Sequence, residues 1–177
     1  MDAPPTYPRV AHLAGGRGTS DDFEADRASI DALLAGEVVV EEKLDGANVV
    51  VWPDGHRLQC APRSGPGAAD RARQLGPLRG WVAEHADDLR ALVGEDTALY
   101  AEWLLLTHSV AYDRLPTYLV ALDLWSVDGG FVLVDDRNAR CAAAGIASPP
   151  ERWRGRASSV ATIEAQVGAS AFGDEPV

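Results

Sequence analysis

Lys43 is the only lysine among 177 residues, and the other fifteen Lys+Arg positions are all arginine. It lies in the segment EEKLDGAN, residues 41–48, between two valine-rich apolar runs. A guanidinium stays protonated and is a poor nucleophile, whereas a lysine near apolar walls and other cations can lose its proton and attack an electrophile. We therefore interpret Lys43 as a candidate nucleophile with apolar, buried surroundings.

A surface ion pair is the competing interpretation of Lys43. Glu41, Glu42 and Asp45 lie close to it in sequence, and an exposed lysine at the end of a strand pairs readily with such carboxylates. A short motif such as Lys-x-Asp-Gly also occurs by chance in unrelated chains. The tetrapeptide alone leaves both interpretations open.

The elements around Lys43 are predicted from the surrounding pattern. Residues 37–60 read as strands, with Asp54 and Gly55 as a hairpin turn, so Lys43 and Asp45 should lie in the link between two adjacent strands. Before them, a short strand and a loop cover residues 7–22, and a helix begins near Thr19 and Ser20 and runs to about residue 34, where Gly36 ends it.

The downstream pattern alternates helices and strands. A loop with Arg63 covers residues 61–67, and a helix interrupted near Gly76 and Pro77 covers residues 68–93. Buried strands follow at 99–106 and 118–125, and two helices at 135–144 and 160–167. Glu102 is the single carboxylate of an otherwise apolar strand, and burial of an unused carboxylate is costly, so its position indicates function. We predict one α+β domain over residues 1–177, with mostly antiparallel sheets and flanking helices.

Composition limits the classes of partner. The formal net charge of −11 argues against nucleic-acid binding by bulk attraction and allows only a local basic groove. The one dense basic and aromatic cluster, residues 152–156, reads either as a solvated turn with Trp153 in the core or as an RNA contact. No apolar run approaches the roughly 20 residues of a membrane span. The N-terminus has no signal-peptide pattern, and the two cysteines read as reduced thiols, so we expect a cytoplasmic protein.

Four stretches, in register over nearly the whole chain, resemble the double-strand-repair type of ATP-dependent RNA ligase. They are YPRVAHLAGGRGTSDD at 7–22, EEKLDGANVVVW at 41–52, APRSG at 61–65, and a segment at 99–125 that contains LYAE, HSVAY, LPTY and DLW. This family belongs to the covalent nucleotidyltransferases, together with other polynucleotide ligases and RNA-capping enzymes. The resemblance implies an ATP-grasp-like nucleotidyltransferase domain.

The resemblance also implies a reaction. The lysine matching Lys43 attacks the α-phosphate of ATP, releases pyrophosphate and carries AMP as a phosphoramidate. AMP then passes to an RNA 5′-phosphate, and a 3′-hydroxyl displaces it to join the strands. ATP, Mg²⁺ and RNA are therefore the expected cofactors and partners. The attack requires a neutral amine, although the reference pKa of lysine is about 10.4. Burial and metal-bound phosphates would favour that neutral form.

The other site residues implied by the resemblance contact the nucleotide, and each has a structural alternative. Asp45 would orient the lysine, and Gly46 would allow close backbone approach. Glu102 would hold the ribose hydroxyls or a metal ion, and Arg63 would bind ribose or phosphate. The remaining contacts are to adenine or the reactive ends: Glu42, Asn48 and Tyr118. Glu42 could instead be a solvated strand end, and Tyr118 could belong to the core.

The sequence departs from the family in two later motifs. One contains a metal-binding glutamate after a strand, and the other contains a lysine that contacts the α-phosphate. Since Lys43 is the only lysine, the second cannot be elsewhere in this sequence. We therefore expect a truncated domain with weak or absent ligation. Two alternatives stay open: a non-catalytic remnant that binds nucleotide or RNA, and a different polynucleotide ligase or capping nucleotidyltransferase.

Overall fold

The structure, a computed structural model, describes residues 1–13, 23–63 and 69–174, with only the backbone described for residues 69–75. It confirms the predicted α+β class, with antiparallel sheets and flanking helices. Within the described residues, no helix is both long enough and apolar enough to cross a membrane.

A five-stranded antiparallel sheet forms the centre of the domain. Its order is β3-β2-β4-β5-β6. The central strand β4 is buried at all seven positions, as its unbroken apolar sequence around Glu102 predicts. The strands are β2 (Ala47–Asp54), β3 (Arg57–Pro62), β4 (Thr97–Trp103), β5 (Leu119–Ser126) and β6 (Gly130–Phe131).

A second sheet contains only β1 (Val38–Glu41) and β7 (Glu151–Gly155). The link with Lys43 lies between two successive strands, as predicted, and these strands belong to different sheets. The predicted turn at residues 152–156 is wrong, because these residues are mostly β7. Strand β7 supplies the backbone hydrogen bonds of β1, and sequence separation conceals such a long-range pairing.

Five helices flank the sheets. Helix α1 begins later than predicted because Asp26, and not Thr19 or Ser20, accepts the hydrogen bond that caps it; residues 14–22 lie outside the described residues. The break predicted near Gly76 and Pro77 is wrong: α2 continues through Pro77, and the helices separate at His85. The helices are α1 (Arg27–Ala35), α2 (Ala69–Glu84), α3 (Ala86–Val93), α4 (Val134–Ala143) and α5 (Val160–Glu164).

The two faces of the large sheet bury different groups. One face packs against α2, α3 and α4 in the main apolar core, which includes Val51, Leu89 and Trp103. The opposite face carries the alternate residues of the same strands, among them Asn48, Tyr100 and Glu102. We call this the polar face. A small apolar cluster of Leu44, Leu104 and Val120 borders it, with Tyr112, Leu115, Ala147 and Phe172 packed around.

A buried polar network joins the polar face to the small sheet. Tyr7 donates a hydrogen bond to Asp123 of β5, and the Tyr100 hydroxyl bonds to the carbonyl of Pro5. Arg137 of α4, almost fully buried, pairs with Glu41 of β1 and donates to the Leu122 carbonyl. In the described part of the segment, residues 7–13, the predicted N-terminal strand is represented by one bridge, between His12 and Glu24. The N-terminal segment thus covers the polar face without extending the sheet.

Candidate functional site

Three predicted site residues lie in one row across the end of the polar face. Asn48 on β2 is opposite Glu102 on β4, and Glu102 is opposite Val120 on β5. The row continues to Arg63, because the Arg63 amide donates to the Asn48 carbonyl at 2.9 Å and so extends the β2–β3 register by one residue. Three residues far apart in sequence, Asn48, Arg63 and Glu102, are therefore neighbours in one row.

Glu102 is the buried carboxylate of this row, at 8% exposure. Its Oε1 accepts a hydrogen bond from the Gly46 amide at 2.9 Å. Burial raises the pKa of Glu102, while the Gly46 amide, the Asn48 side chain and the positive charge of Lys43 counteract part of that rise. The Asn48 Oδ1 is buried without a partner among the described residues, so an acceptor beside Glu102 remains available to a ligand.

Gly46 brings the Lys43 link against the end of β4. A Cβ at this position would lie 2.5 Å from the Trp103 carbonyl oxygen and 2.8 Å from Leu104 Cδ2. Real Cβ atoms do not approach backbone this closely, so only glycine fits without displacement. The predicted close approach at Gly46 thus has a structural cause.

Lys43 itself is exposed, and the prediction that apolar walls bury it is wrong. The segment alternates: Glu42 and Leu44 on either side are buried, and Lys43 between them faces outward. The strands on either side of it are apolar, but their buried side chains, such as Val38 and Val49, pack within the fold. The charges that act on Lys43 are carboxylates, because Lys43 lowers the pKa of both Asp45 and Glu102 electrostatically. The Gly46 amide, three residues further on, donates to Glu102, so the link that carries Lys43 is bonded to the row.

Asp45 is held from both sides by the segment after β4. Its Oδ2 accepts hydrogen bonds from the amide, at 2.7 Å, and the hydroxyl of Ser109, and its own amide donates to the Tyr112 hydroxyl at 2.8 Å. Partial burial favours a higher pKa for Asp45. The hydrogen bonds from Ser109 and the charge of Lys43 outweigh it, so the pKa lies below the usual value. Asp45 is thus ionised at neutral pH and fixed in place.

Glu42 is buried, so the alternative of a solvated strand end is wrong. Its carboxylate accepts hydrogen bonds from the Ser170 hydroxyl and from the Ala171 amide, the latter at 2.9 Å, and pairs with Arg152 at 3.2 Å. The carboxylate is therefore already occupied by protein groups. A contact from Glu42 to adenine would have to use its backbone.

Tyr118 is exposed and does not belong to the core, which removes that alternative. Its carbonyl accepts from the Leu104 amide at 2.8 Å, which places it at the same end of the sheet as Gly46. Its ring meets Trp103 edge-on at 6.1 Å between centroids. An exposed aromatic ring at this end could stack on a base.

The basic cluster on β7 is largely occupied. Arg152 pairs with Glu42, and Arg154 pairs with Glu37, Asp135 and Glu151. Arginines bound to carboxylates have few free donors for phosphate. The RNA-contact interpretation of residues 152–156 is therefore weakened for both arginines, and their observed partners are protein carboxylates.

The metal prediction rests on Glu102. Across the described parts of the chain, no group of three or more histidine, cysteine, aspartate or glutamate side chains is arranged to hold an ion. Two carboxylates, Glu102 and Asp45, do interact electrostatically. Magnesium commonly binds one or two carboxylates together with substrate phosphates, so this donor set fits a magnesium ion only when a nucleotide supplies the other ligands.

Four residues that hold the site were not assigned a role from sequence. Ser109 and Tyr112 fix Asp45, and Ser170 and Arg152 fix Glu42. Ser109 and Tyr112 belong to a segment that resembles the family. The resemblance singled out the segment, but it did not predict the hydrogen bonds of these residues to Asp45. Ser170 carries no such signal, because its partner lies 128 residues earlier.

Comparisons with known proteins bear on the family and the fold of the chain. The family model described as RNA ligase matches residues 36–175. Two solved structures of Naegleria gruberi RNA ligase align well. A lysine-to-methionine mutant with AMP and Mn aligns at TM-score 0.63 and 14% identity, over 84% of this chain and 46% of the other. A lysine-to-alanine mutant with ATP and Mn aligns at 0.63 and 15%, over 98% and 55%.

The structure of the same Naegleria protein with PPi aligns at TM-score 0.61 and 15% identity, over 98% of this chain and 56% of that one. At these identities the likeness shows a common fold. The chain spans about half the length of these solved structures. None of the curated proteins matches the chain.

Proposed function

The chain belongs to the RNA ligase family, and we propose that its Lys43 accepts AMP from ATP for transfer to an RNA 5′-phosphate. The observation that supports the proposal is the hydrogen bond from the Gly46 amide, three residues after the sole lysine, to Glu102, which joins the Lys43 link to the row of Glu102, Asn48 and Arg63. The solved structures of the Naegleria relative contain AMP or ATP with Mn, which supports nucleotide and divalent-metal use here.

The proposed reaction assigns each group one task. The Lys43 Nζ attacks the α-phosphorus, the bond from that phosphorus to the bridging oxygen breaks, and pyrophosphate leaves as the amine loses a proton. Asp45, fixed by Ser109, orients the amine. Glu102 accepts from the ribose hydroxyls or helps to hold the metal, and Arg63 binds ribose or phosphate through its planar fork.

The adenine end of the nucleotide lies on the far side of the link. The Tyr118 ring is exposed for stacking on the base, and the Glu42 backbone is available to contact it, since the Glu42 carboxylate is bound elsewhere. Magnesium, when bound with the triphosphate, neutralises phosphate charge and assists departure of pyrophosphate. Because the protein charges facing Lys43 are negative, the bound nucleotide and its metal must favour loss of the lysine proton.

The first test is transfer of label from α-labelled ATP to the protein with magnesium. Wild type should become labelled, and Lys43→Arg should not. The single lysine allows a matched control: in the Lys43→Arg protein, Arg27→Lys restores one lysine at an exposed position of helix α1. Label on the Arg27→Lys control, or on Lys43→Arg, would refute a specific nucleophile. Comparison of ATP with GTP separates an RNA ligase from a capping guanylyltransferase.

Sealing of a nicked duplex is a separate step, and we propose that it is weak or absent in this chain alone. The resemblance implies two later motifs, one with a metal-binding glutamate and one with a lysine that contacts the α-phosphate during adenylylation, and this sequence has no second lysine, so labelling of Lys43 should also be slow. Efficient sealing of nicked RNA by the purified chain would contradict this. The expected substrate has a 5′-phosphate beside a 3′-hydroxyl.

A non-catalytic nucleotide- or RNA-binding remnant is the second candidate. The exposure of Lys43 and the absence of a second lysine favour it. It predicts ATP binding by calorimetry without covalent label, and it predicts that Lys43→Ala leaves RNA binding unchanged. Covalent label on Lys43 eliminates it.

A further inference from the structure

An open groove of about 340 Å³ lies along the free edge of the large sheet, between β3 and helices α2 and α3. Strand β3 is the end strand of that sheet, and among the described strands only β2 pairs with it. Four consecutive residues of β3 line the groove, residues 57–60. Side chains of consecutive strand residues point to opposite faces, so a groove that touches all four follows the backbone edge of the strand. We call it the β3 groove.

The backbone of β3 presents unpaired groups to this groove. The Arg63 amide donates to the Asn48 carbonyl, which fixes which residues of β3 bond to β2. In an antiparallel pair only alternate residues bond to the partner strand, so the amides and carbonyls of Leu58 and Cys60 face away from β2. No hydrogen bond to these four groups occurs among the described residues. An unpaired strand edge of this kind is a template for an added strand.

The side-chain charges that line the groove are positive. Arg57, Arg79 and Arg90 line it and are exposed. None of the three forms an ion pair with a carboxylate in the described residues. Arg90 donates to the His56 carbonyl, which leaves its charge in place. No aspartate or glutamate is among the described lining residues. In a chain of formal net charge −11, these arginines complement the carboxylates of a ligand.

The remaining lining favours a peptide over a nucleic acid. On the helix side it consists of small aliphatic residues, Val82, Ala83 and Ala86. Grooves that bind single-stranded nucleic acids use aromatic side chains that stack on bases, and the described lining contains no aromatic residue. Addition of an extended peptide to an exposed sheet edge is a recurring mode of recognition, in which main-chain hydrogen bonds give affinity and side-chain contacts give specificity.

We propose that the β3 groove binds an extended acidic peptide of a partner protein, which adds to the sheet as a strand beside β3. The main chain of the peptide bonds to the outward amides and carbonyls of Leu58 and Cys60. Its carboxylates contact the exposed guanidinium groups of Arg79 and Arg90. Lys43 is not a lining residue, so this binding requires neither the nucleophile nor ATP.

Alternating N-methylation of a peptide tests the strand addition on wild-type protein. The probe is a fluorescent heptapeptide of sequence DVEVEVD, made once with methylated valine amides and once with methylated amides at the acidic residues. Alternate amides of a strand point to opposite sides, so only one set can face β3. Affinity should fall roughly tenfold or more for one version and change less than about twofold for the other. Equal effects of the two methylation patterns mean attraction of charge alone and overturn the proposal.

Charge-removing variants test the arginine contacts. Arg79→Gln and Arg90→Gln should each weaken binding of the unmethylated peptide about twofold to fivefold, as loss of an exposed ion pair does. Arg27→Gln is the matched control, because it removes the same charge from an exposed position of α1. An equal loss in the control overturns the proposal. So does an oligouridylate of equal charge that binds as tightly as the peptide and loses affinity in the same variants, because the site would then accept any polyanion.

The thiol of Cys60 reports where the peptide binds. It lines the groove and is half-buried, whereas Cys141 is buried, so a maleimide at about pH 8.5 should modify Cys60 first. Saturating peptide should slow this modification roughly threefold or more, and an unchanged rate overturns the location. Lys43→Arg protein should bind the peptide as wild type does, which separates this inference from labelling of Lys43. A dimer that the peptide dissociates would show that a second copy supplies the strand, and would overturn a separate partner protein.

Discussion

Replacement of Gly46 by alanine should lower both the stability of the fold and the proposed labelling of Lys43. The added Cβ meets the Trp103 carbonyl oxygen at 2.5 Å, and ordinary contact begins near 3.4 Å. Trp103 belongs to fully buried β4 and cannot move, so the link must move outward by about 0.9 Å. That displacement stretches the 2.9 Å bond from the Gly46 amide to Glu102 toward 3.8 Å, beyond hydrogen-bond distance.

Two costs add in this variant. Over-packing against rigid backbone costs about 1–3 kcal/mol. Loss of a hydrogen bond to a carboxylate costs about 1.5–3 kcal/mol. Gly46→Ala should therefore lower the free energy of unfolding by about 2.5–6 kcal/mol, which corresponds to about 5–24 °C in melting temperature for a chain of this size.

Urea unfolding and thermal melts measure the loss of stability, and α-labelled ATP measures how much label Lys43 acquires. Gly80→Ala is the control, since its Cβ meets nothing within 4 Å and the residue lies in helix α2. That substitution should stabilise the fold by roughly 0.5–1 kcal/mol, opposite in sign. A Gly46→Ala protein as stable as wild type, with normal labelling of Lys43, would refute the close packing of the link on β4.

Three further variants follow from the charges. Because burial raises the pKa of Glu102, Glu102→Gln should be more stable than wild type at pH 7, with the gap shrinking as pH falls toward the ordinary glutamate range, while labelling is lost; a pH series of urea melts checks this. The low pKa of Asp45 stabilises the fold at neutral pH, so Asp45→Asn should lose less stability than wild type on acidification below about pH 4. Arg137→Met should cost about 3–5 kcal/mol by leaving Glu41 unpaired, and Glu41→Gln in that background should recover part of it; recovery of nothing would contradict the pairing.

The strands of the site could be predicted because their runs of apolar residues indicate burial from local sequence alone. Valines at 49 to 51, the unbroken run around Glu102 and the Asp54–Gly55 turn all produced the expected elements. Glu102 could be predicted as a functional residue because burying a carboxylate in an apolar strand is costly unless the carboxylate has a partner or a ligand. The register of the sheet then placed Asn48 beside Glu102, and Arg63 beside Asn48.

The exposure of Lys43 could not be predicted from its neighbours. Which way the link alternates depends on where Glu42 and Leu44 find partners, and those partners are Ser170 and the cluster with Phe172. The same limit applies to β7, whose partner β1 lies more than a hundred residues earlier. Local pattern specifies an element, while distant pairing decides its surroundings.

At Pro77 a local rule was wrong: it predicted a helix break, and α2 continues through this residue. Proline lacks an amide donor and normally bends or ends a helix, so the local rule placed the break there. The structure instead keeps Leu78 and Val82, on either side of Arg79, fully packed in the core. Burial of that apolar face outweighs the lost hydrogen bond, since each buried leucine or valine contributes about 1.5–3 kcal/mol.

The bond between Glu42 and Ser170 has a consequence for biosynthesis. Its two ends are 128 residues apart, and ribosomes add about 5–20 residues per second. Ser170 is therefore added roughly 6–26 seconds after Glu42, the neighbour of Lys43 to which it binds. Contacts of such high sequence separation also form late in refolding. A nascent chain would therefore reach the final geometry of the segment that carries Lys43 only when the residues around Ser170 emerge and dock.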